Sequence, residues 1–197
     1  MKKLLGILVL GLFLITPSQA DDIRDLQIEG MSVGDSLLDY YNKDKIEIKR
    51  KFFKTGKGVN KEYSRVLFSD DSFKVYDRVA IYFKSSDDRY IIQSITGRNY
   101  YPNNIDDCYQ TQNKIVKEIE KLIPKAQKKD LGTYKHPADP IGLSLIKAIN
   151  FYPIDNSAVH IACYDFSKEK ENSSKDRLSV SVGSSEYVDF QKHRAFK

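Results

Sequence analysis

Two cysteines, Cys108 and Cys163, constrain this chain more than any other feature, because one lies on a helix pattern and the other on a strand pattern. In YPNNIDDCYQTQNKIVKEIEKLIP, Asn104 is placed to cap a helix, Asp106 and Asp107 fall in its positive first turn, and Pro124 stands just past its end. Ile105, Cys108, Ile115, Val116, Ile119, Leu122 and Ile123 recur on one stripe at 3.6-residue spacing, which turns Cys108 toward a core. Cys163 belongs to SAVHIACYDF, an apolar and aromatic run of strand length. A bridge between them ties a helix to a sheet, and whether it forms depends on the redox compartment.

The first twenty residues address that. MKKLLGILVLGLFLITPSQA carries Lys2 and Lys3, an apolar run from Leu4 to Ile15 and the small-residue end Ser18-Gln19-Ala20, the pattern of a secretory signal peptide cleaved after Ala20. Its apolar run is shorter than the roughly 20 residues that cross a bilayer, and no later segment is apolar for long enough to span. The mature chain is therefore expected to be soluble, exported to the periplasm and exposed to oxidising machinery, which favours a Cys108–Cys163 disulfide. Closing a loop of about 55 residues contributes about 4 kcal/mol in the chain-entropy picture. The competing reading is a reactive thiol, since a helix N-terminus lowers a thiol's pKa. Inward orientation argues against it, and His160, three positions from Cys163 on a strand, points to the opposite face.

The remaining pattern is read as one α+β domain from Asp21 to Lys197. Phe73 to Gly97 predicts a hairpin, with YDRVAIYFK alternating before the turn SSDDR and YIIQSIT returning. SLIKAINFY, SAVHIACYDF and RLSVSVG predict further strands, the last with Leu178, Val180 and Val182 inward and its serines outward, and Ser184 or Ser185 can cap a short helix through Phe190. Strands in adjacent runs favour an antiparallel sheet over a doubly wound fold. The expectation is an antiparallel sheet packed against a long central helix, with short N- and C-terminal helices.

EGMSVGDSLLDYY holds two hydrolase signatures, G-x-S-x-G over Gly30 to Gly34 and GDSL over Gly34 to Leu37. A nucleophile elbow needs a buried strand in front of it, whereas DDIRDLQIE is half charged. The second signature resembles the SGNH hydrolases, whose serine is served by a late D-x-x-H block. Here Asp189 and His193 are four apart, no D-x-x-H occurs, and Gly97-Arg98-Asn99 is at best a weak middle block. A serine hydrolase using Ser36 with His193 is thus the alternative reading. The structural reading has Ser32 capping a helix, Asp35 reaching back, and Leu37 and Leu38 anchored in the core.

His136, His160 and His193 show no metal-ligand spacing, and the sequence calls for no cofactor or metal. Removing the leader takes away Lys2 and Lys3, leaving 30 basic against 27 acidic side chains, so the formal charge falls from +5 to +3. That is too weak a balance to suggest nucleic acid. KIEIKRKFFKTGKGVNK, residues 45–61, concentrates seven basic side chains around Phe52 and Phe53. Lys49, Arg50, Lys51, Phe52, Phe53 and Lys54 are the candidate patch for an anionic envelope component or protein, against the alternative of a lysine-protected strand edge. Residues 124–142, rich in Pro, Gly and Lys without apolar period, read as a long loop and a second candidate surface.

DDIRDLQIEGMSVGDSLLDYY, NNIDDCY and IACYDFSKE together resemble segments of small exported proteins of marine alphaproteobacteria of the Pelagibacter type. The resemblance implies a periplasmic location and brings no activity, so it assigns no catalytic residue. The expected function is a non-enzymatic binding or envelope-associated module.

Overall fold

A computed structural model describes residues 23–55, 58–139, 142–168 and 174–195. The signal-peptide expectation falls on residues 1–20, outside the described residues. A single antiparallel sheet organises what is described. Its strands are β1 (Lys51–Thr55), β2 (Gly58–Phe68), β3 (Arg78–Lys84), β4 (Ser94–Tyr100), β5 (Gln127–Lys135), β6 (Leu145–Tyr152), β7 (Ala158–Asp165) and β8 (Arg177–Gly183). They lie in the order β1-β2-β3-β4-β8-β7-β6-β5, so β4 and β8 form the centre and β1 and β5 the edges. The helices are α1 (Lys43–Lys49), α2 (Ile105–Leu122) and α3 (Ser185–His193).

Alternation along the strands divides the side chains between two faces. On the first, Val79, Ile81 and Phe83 of β3, Ile95 of β4, Val159, Ile161 and Cys163 of β7, and Leu178, Val180 and Val182 of β8 form one core with α2, α1 and the N-terminal segment. α2 forms where expected: Asn104 accepts from Asp107 N, and Cys108, Val116 and Ile119 are buried against the sheet. Within this core the disulfide joins Cys108 to Cys163 with their Cα atoms 6.0 Å apart. Buried Gln112 supplements it by donating from Nε2 to the carbonyls of Lys147 and Ile161. On the second face, α3 packs Tyr187 and Phe190 against Tyr63, Phe53 and Tyr82. Ser184 caps it by accepting from Tyr187 N at 3.1 Å.

The class is α+β with an antiparallel sheet, as expected, but the sheet rather than a long central helix is the organising element. α2 packs over β7 and β8 and leaves β2 and β3 to α1 and the N-terminal segment. The physical reason is sheet width, since one helix about 10 Å across covers two or three strands spaced roughly 4.8 Å apart. Residues 124–142 also depart from expectation. Gln127–Lys135 of this stretch form β5, an edge strand that is exposed along nearly its whole length and is bulged between Asp130 and Gly132. An edge strand with little burial needs no apolar period, so it reads as loop in sequence. The helix expected from Ser32 is absent as well. Asp35 does reach back, accepting from Ser32 N at 2.8 Å, but residues 32–36 form turns and Ser36 caps a 3₁₀ turn over Leu37–Asp39. Asn42 then caps α1. Leu37 is buried as expected, while Leu38 is exposed.

Candidate functional site

The candidate patch of residues 49–54 divides when folded. Arg50 turns into the structure: its Nε donates to Ser64 Oγ at 2.9 Å, Nη1 to Glu47 at 3.0 Å and Nη2 to the Ser85 carbonyl. Phe53 packs edge-on to Phe190 and beside Tyr82, on the second face of the sheet. Lys49, Lys51 and Phe52 stay exposed, Phe52 at 44%. The side chain of Lys54 lies outside the described residues. Strand alternation explains the division, because it turns two adjacent aromatics to opposite faces, and the register then shifts by extra residues of β2 between Asn60 and Ser64. The exposed surface extends beyond those six residues, to others of the 45–61 stretch and to Lys43. Ile48 on α1 is 84% exposed and Val59 on β2 is 54% exposed, and Lys43, Lys49, Lys51 and Lys61 on α1, β1 and β2 are exposed too. The Lys61 ammonium and the Arg50 guanidinium both lie about 6 Å from the Phe52 ring centre, at 5.9 and 6.0 Å.

The residues of the hydrolase alternative are not brought together. Ser36 Oγ donates to the Arg89 carbonyl at 2.7 Å and accepts from Leu38 N at 3.2 Å, and Ser36 bridges to Ile91. Its neighbour Leu37 enters the first-face core. His193 lies on α3, across the second face, where its Nε2 is 3.8 Å from Asp189. A nucleophile needs its base within hydrogen-bond reach. Ser36 instead spends its hydroxyl on two backbone groups, as a cap does. Gly97, in the block read as a possible oxyanion element, has its place fixed by packing: a Cβ there would stand 2.6 Å from the Tyr76 ring. Among the described residues no group of three or more His, Cys, Asp and Glu side chains gathers to hold a metal.

A third arrangement was not singled out from sequence. Ladder register sets side chains of the second face in rows across the strands. One row runs Tyr100, Arg177, Tyr164 from β4 through β8 to β7. The next runs Arg78, Arg98, Ser179, Ala162 from β3 to β7. Arg98 therefore stands diagonal to Arg177 on the same face, with Cα atoms on the order of 7–8 Å apart. Both side chains are half-buried, and the Nε atom of each is buried without a hydrogen-bond acceptor. Arg177 lies over the rings of Tyr164 and Phe166, at 4.5 and 4.8 Å. Burial, and secondarily the charge of Arg98, pull its guanidinium pKa below the ordinary value. Next along this face Thr96 and Ser181 share a hydrogen bond of 2.9 Å, and His160 Nδ1 meets Asn150 Oδ1 at 2.6 Å. Burial lowers the His160 pKa and favours the neutral ring, whose Nδ1–H then donates to Asn150. The signal was present in SITGRNY and RLSVSVG, whose alternation sends Arg98 and Arg177 to the face opposite Leu178 and Val180.

No protein-family model, curated protein or solved structure matches this chain.

Proposed function

We propose that the chain is an exported, non-enzymatic binding protein that contacts an anionic surface of the cell envelope through α1 and the β1 edge. The observation that carries this reading is the exposure of Ile48 and Phe52, together with that of Lys43, Lys49, Lys51 and Lys61, along the neighbouring elements α1, β1 and β2, with Lys61 beside the Phe52 ring. Apolar side chains held out beside ammonium groups suit a surface with negative head groups over an apolar layer. Each lysine near such a surface contributes about 1 kcal/mol, and the apolar side chains add their own transfer from water. The same lysines discourage β1 from pairing with another chain, which keeps the edge available for a partner of a different kind. The resemblance to small exported alphaproteobacterial proteins implies the periplasm as the setting.

Vesicle co-sedimentation tests the reading. The mature chain is expected to bind vesicles containing phosphatidylglycerol and not vesicles of phosphatidylcholine alone. The double variant Lys49→Glu, Lys51→Glu should lose at least tenfold in binding, and Ile48→Ser should lose severalfold at unchanged charge. Arg50 stays unaltered because it holds Ser64 and Ser85. Equal binding by wild type and the charge-reversed protein would remove this edge as the contact.

A further inference from the structure

Among the described residues, the second face of the sheet holds arginines without counterions. Arg98 and Arg177 are neighbours across the β4–β8 ladder, and Arg78 is the register partner of Arg98 on the other side. Like charges at adjacent cross-strand positions repel one another. A cluster of this kind is ordinarily relieved by a carboxylate, but among the described residues no ion pair reaches any of the three. Three acidic side chains of nearby segments are committed to backbone groups: Glu29 accepts from the backbone of Lys74, Val75 and Tyr76, Asp176 from Phe166 N, and Asp77 from Tyr100 N. Lys84 and Arg194 on the same side, by contrast, each have acidic partners, Glu186 for the first and Glu62 and Asp189 for the second.

The two central arginines also differ from solvated surface arginines. An arginine at the surface satisfies its fork with water, whereas the Nε–H groups of Arg98 and Arg177 are both buried and both undonated. With Nε enclosed, the paired Nη groups are the end of each guanidinium that can take an oxyanion in two parallel hydrogen bonds. Stacking of Arg177 on Tyr164 and Phe166 fixes the plane of its fork. Ser179 stands opposite Arg98 with Ala162 beyond it, and the half-buried Tyr164 ring of β7 walls the position on its Arg177 side. These groups form a preorganised, positively charged, partly desolvated position with unused donors.

We propose that Arg98 and Arg177 form a binding site for an oxyanion, a phosphate or a carboxylate, on the second face of the sheet at the β4–β8 seam. The ligand accepts from both guanidinium groups and supplies negative charge that the described side chains around them do not. This site is separate from the α1 and β1 edge, lies on different strands and takes a small anion instead of a membrane surface.

Calorimetric titration of the mature, oxidised protein with inorganic phosphate, and separately with succinate, tests the proposal against sodium chloride at matched ionic strength. Wild type is expected to bind phosphate or succinate saturably with one site, and the stronger of the two identifies the oxyanion class. Arg98→Gln and Arg177→Gln should each weaken binding at least tenfold. Arg177→Lys should also lose most of it, because an ammonium keeps the charge and lacks the fork. Arg78→Gln, whose exposed head group lies over Tyr100, should change it by less than about threefold. Thermal unfolding supplies an independent readout. Phosphate or succinate should raise the midpoint of wild type and not of the glutamine variants, as expected for a ligand that binds only the native state. Without ligand, Arg98→Gln should be no less stable than wild type, because it removes an unpaired cation. Absence of a saturable response beyond that of chloride, or retention of it in the Arg98→Gln, Arg177→Gln double variant, overturns the proposal. Neither result depends on the lysine edge, since vesicles are absent.

Discussion

Gly97 shows how a single side chain, or its lack, fixes a strand. Its backbone is ordinary β, so conformational freedom is not the reason for glycine. The Tyr76 ring lies flat on the position, with three ring carbons 2.6 Å from where a Cβ would stand. Tyr76 is held there because its backbone N–H and those of Lys74 and Val75 all donate to the Glu29 carboxylate, at 2.7 to 2.9 Å. The segment before β3 is thus tied to the N-terminal turn and cannot easily retreat. Gly97→Ala should destabilise the fold by about 1–3 kcal/mol, the usual range for overpacking, and urea denaturation followed by far-UV dichroism would measure it. The tripeptide Gly97-Arg98-Asn99 illustrates the limit of motif reading. Its glycine serves packing, and Asn99 accepts from the Asp77 backbone N–H. Arg98 is the member left with a buried, unused donor. Nothing local in sequence distinguishes these roles, because each depends on a partner from another strand.

Elements with strong periodicity were legible, and elements defined by their neighbours were not. α2, the β3–β4 hairpin, β6 to β8 and the Ser184 cap all follow from stripes, alternation and capping residues near where they were expected. α1 and β5 did not, since KDKIEIK carries only one buried residue, Ile46, and QKKDLGTYK is an exposed edge. α3 is a case of a short helix stabilised by tertiary contacts. Tyr187 meets Tyr63 edge-on with centroids 5.1 Å apart, and Phe190 lies 4.4 Å from the same ring. Burial raises the pKa of both Tyr63 and Tyr187 well above the ordinary tyrosine value near 10. With the folded pKa above the unfolded one, the contribution is fully present below pH 10 and is lost as pH climbs from there toward the folded values, at about 1.4 kcal/mol per pH unit for each tyrosine. Stability from urea midpoints should therefore be nearly flat from pH 7 to 9 and fall above pH 10. Tyr63→Phe should flatten that fall relative to wild type. At pH 7 the same variant should cost little, because the Tyr63 hydroxyl is buried without a partner and its removal leaves no donor stranded.

At the scale of the whole molecule, the disulfide is the part that the sequence expressed most directly, since the helix stripe, the strand run and the expectation of export each pointed toward it. It joins α2 to the interior strand β7 and closes a loop that contains β5 and β6. Reduction should lower stability by about 4 kcal/mol, and comparison of denaturation midpoints with and without dithiothreitol, beside a Cys108→Ala, Cys163→Ala variant, checks that figure. The two faces of the sheet, in contrast, could not be assigned from sequence. Outward serines and arginines in β8 look the same whether they meet water or one another. Only the register of β4 on β8 brings Arg98 beside Ser179 and Arg177.

That register has a kinetic side. Every ladder in the sheet joins strands consecutive in the chain, except the one between β4 and β8. β1 to β4 form one meander and β5 to β8 another, and the disulfide lies wholly within the segment from α2 onward. Local pairings form early and distant ones late, because loop-closure entropy opposes the distant ones. Each half can therefore assemble on its own, and the central seam is the step at which two preformed units become one protein. Arg98 comes from the first unit and Arg177 from the second, so the paired guanidinium groups do not exist until the seam has closed. An anion bound between them would act as a latch on the joined state, slowing separation of the halves without touching the contacts that build either one.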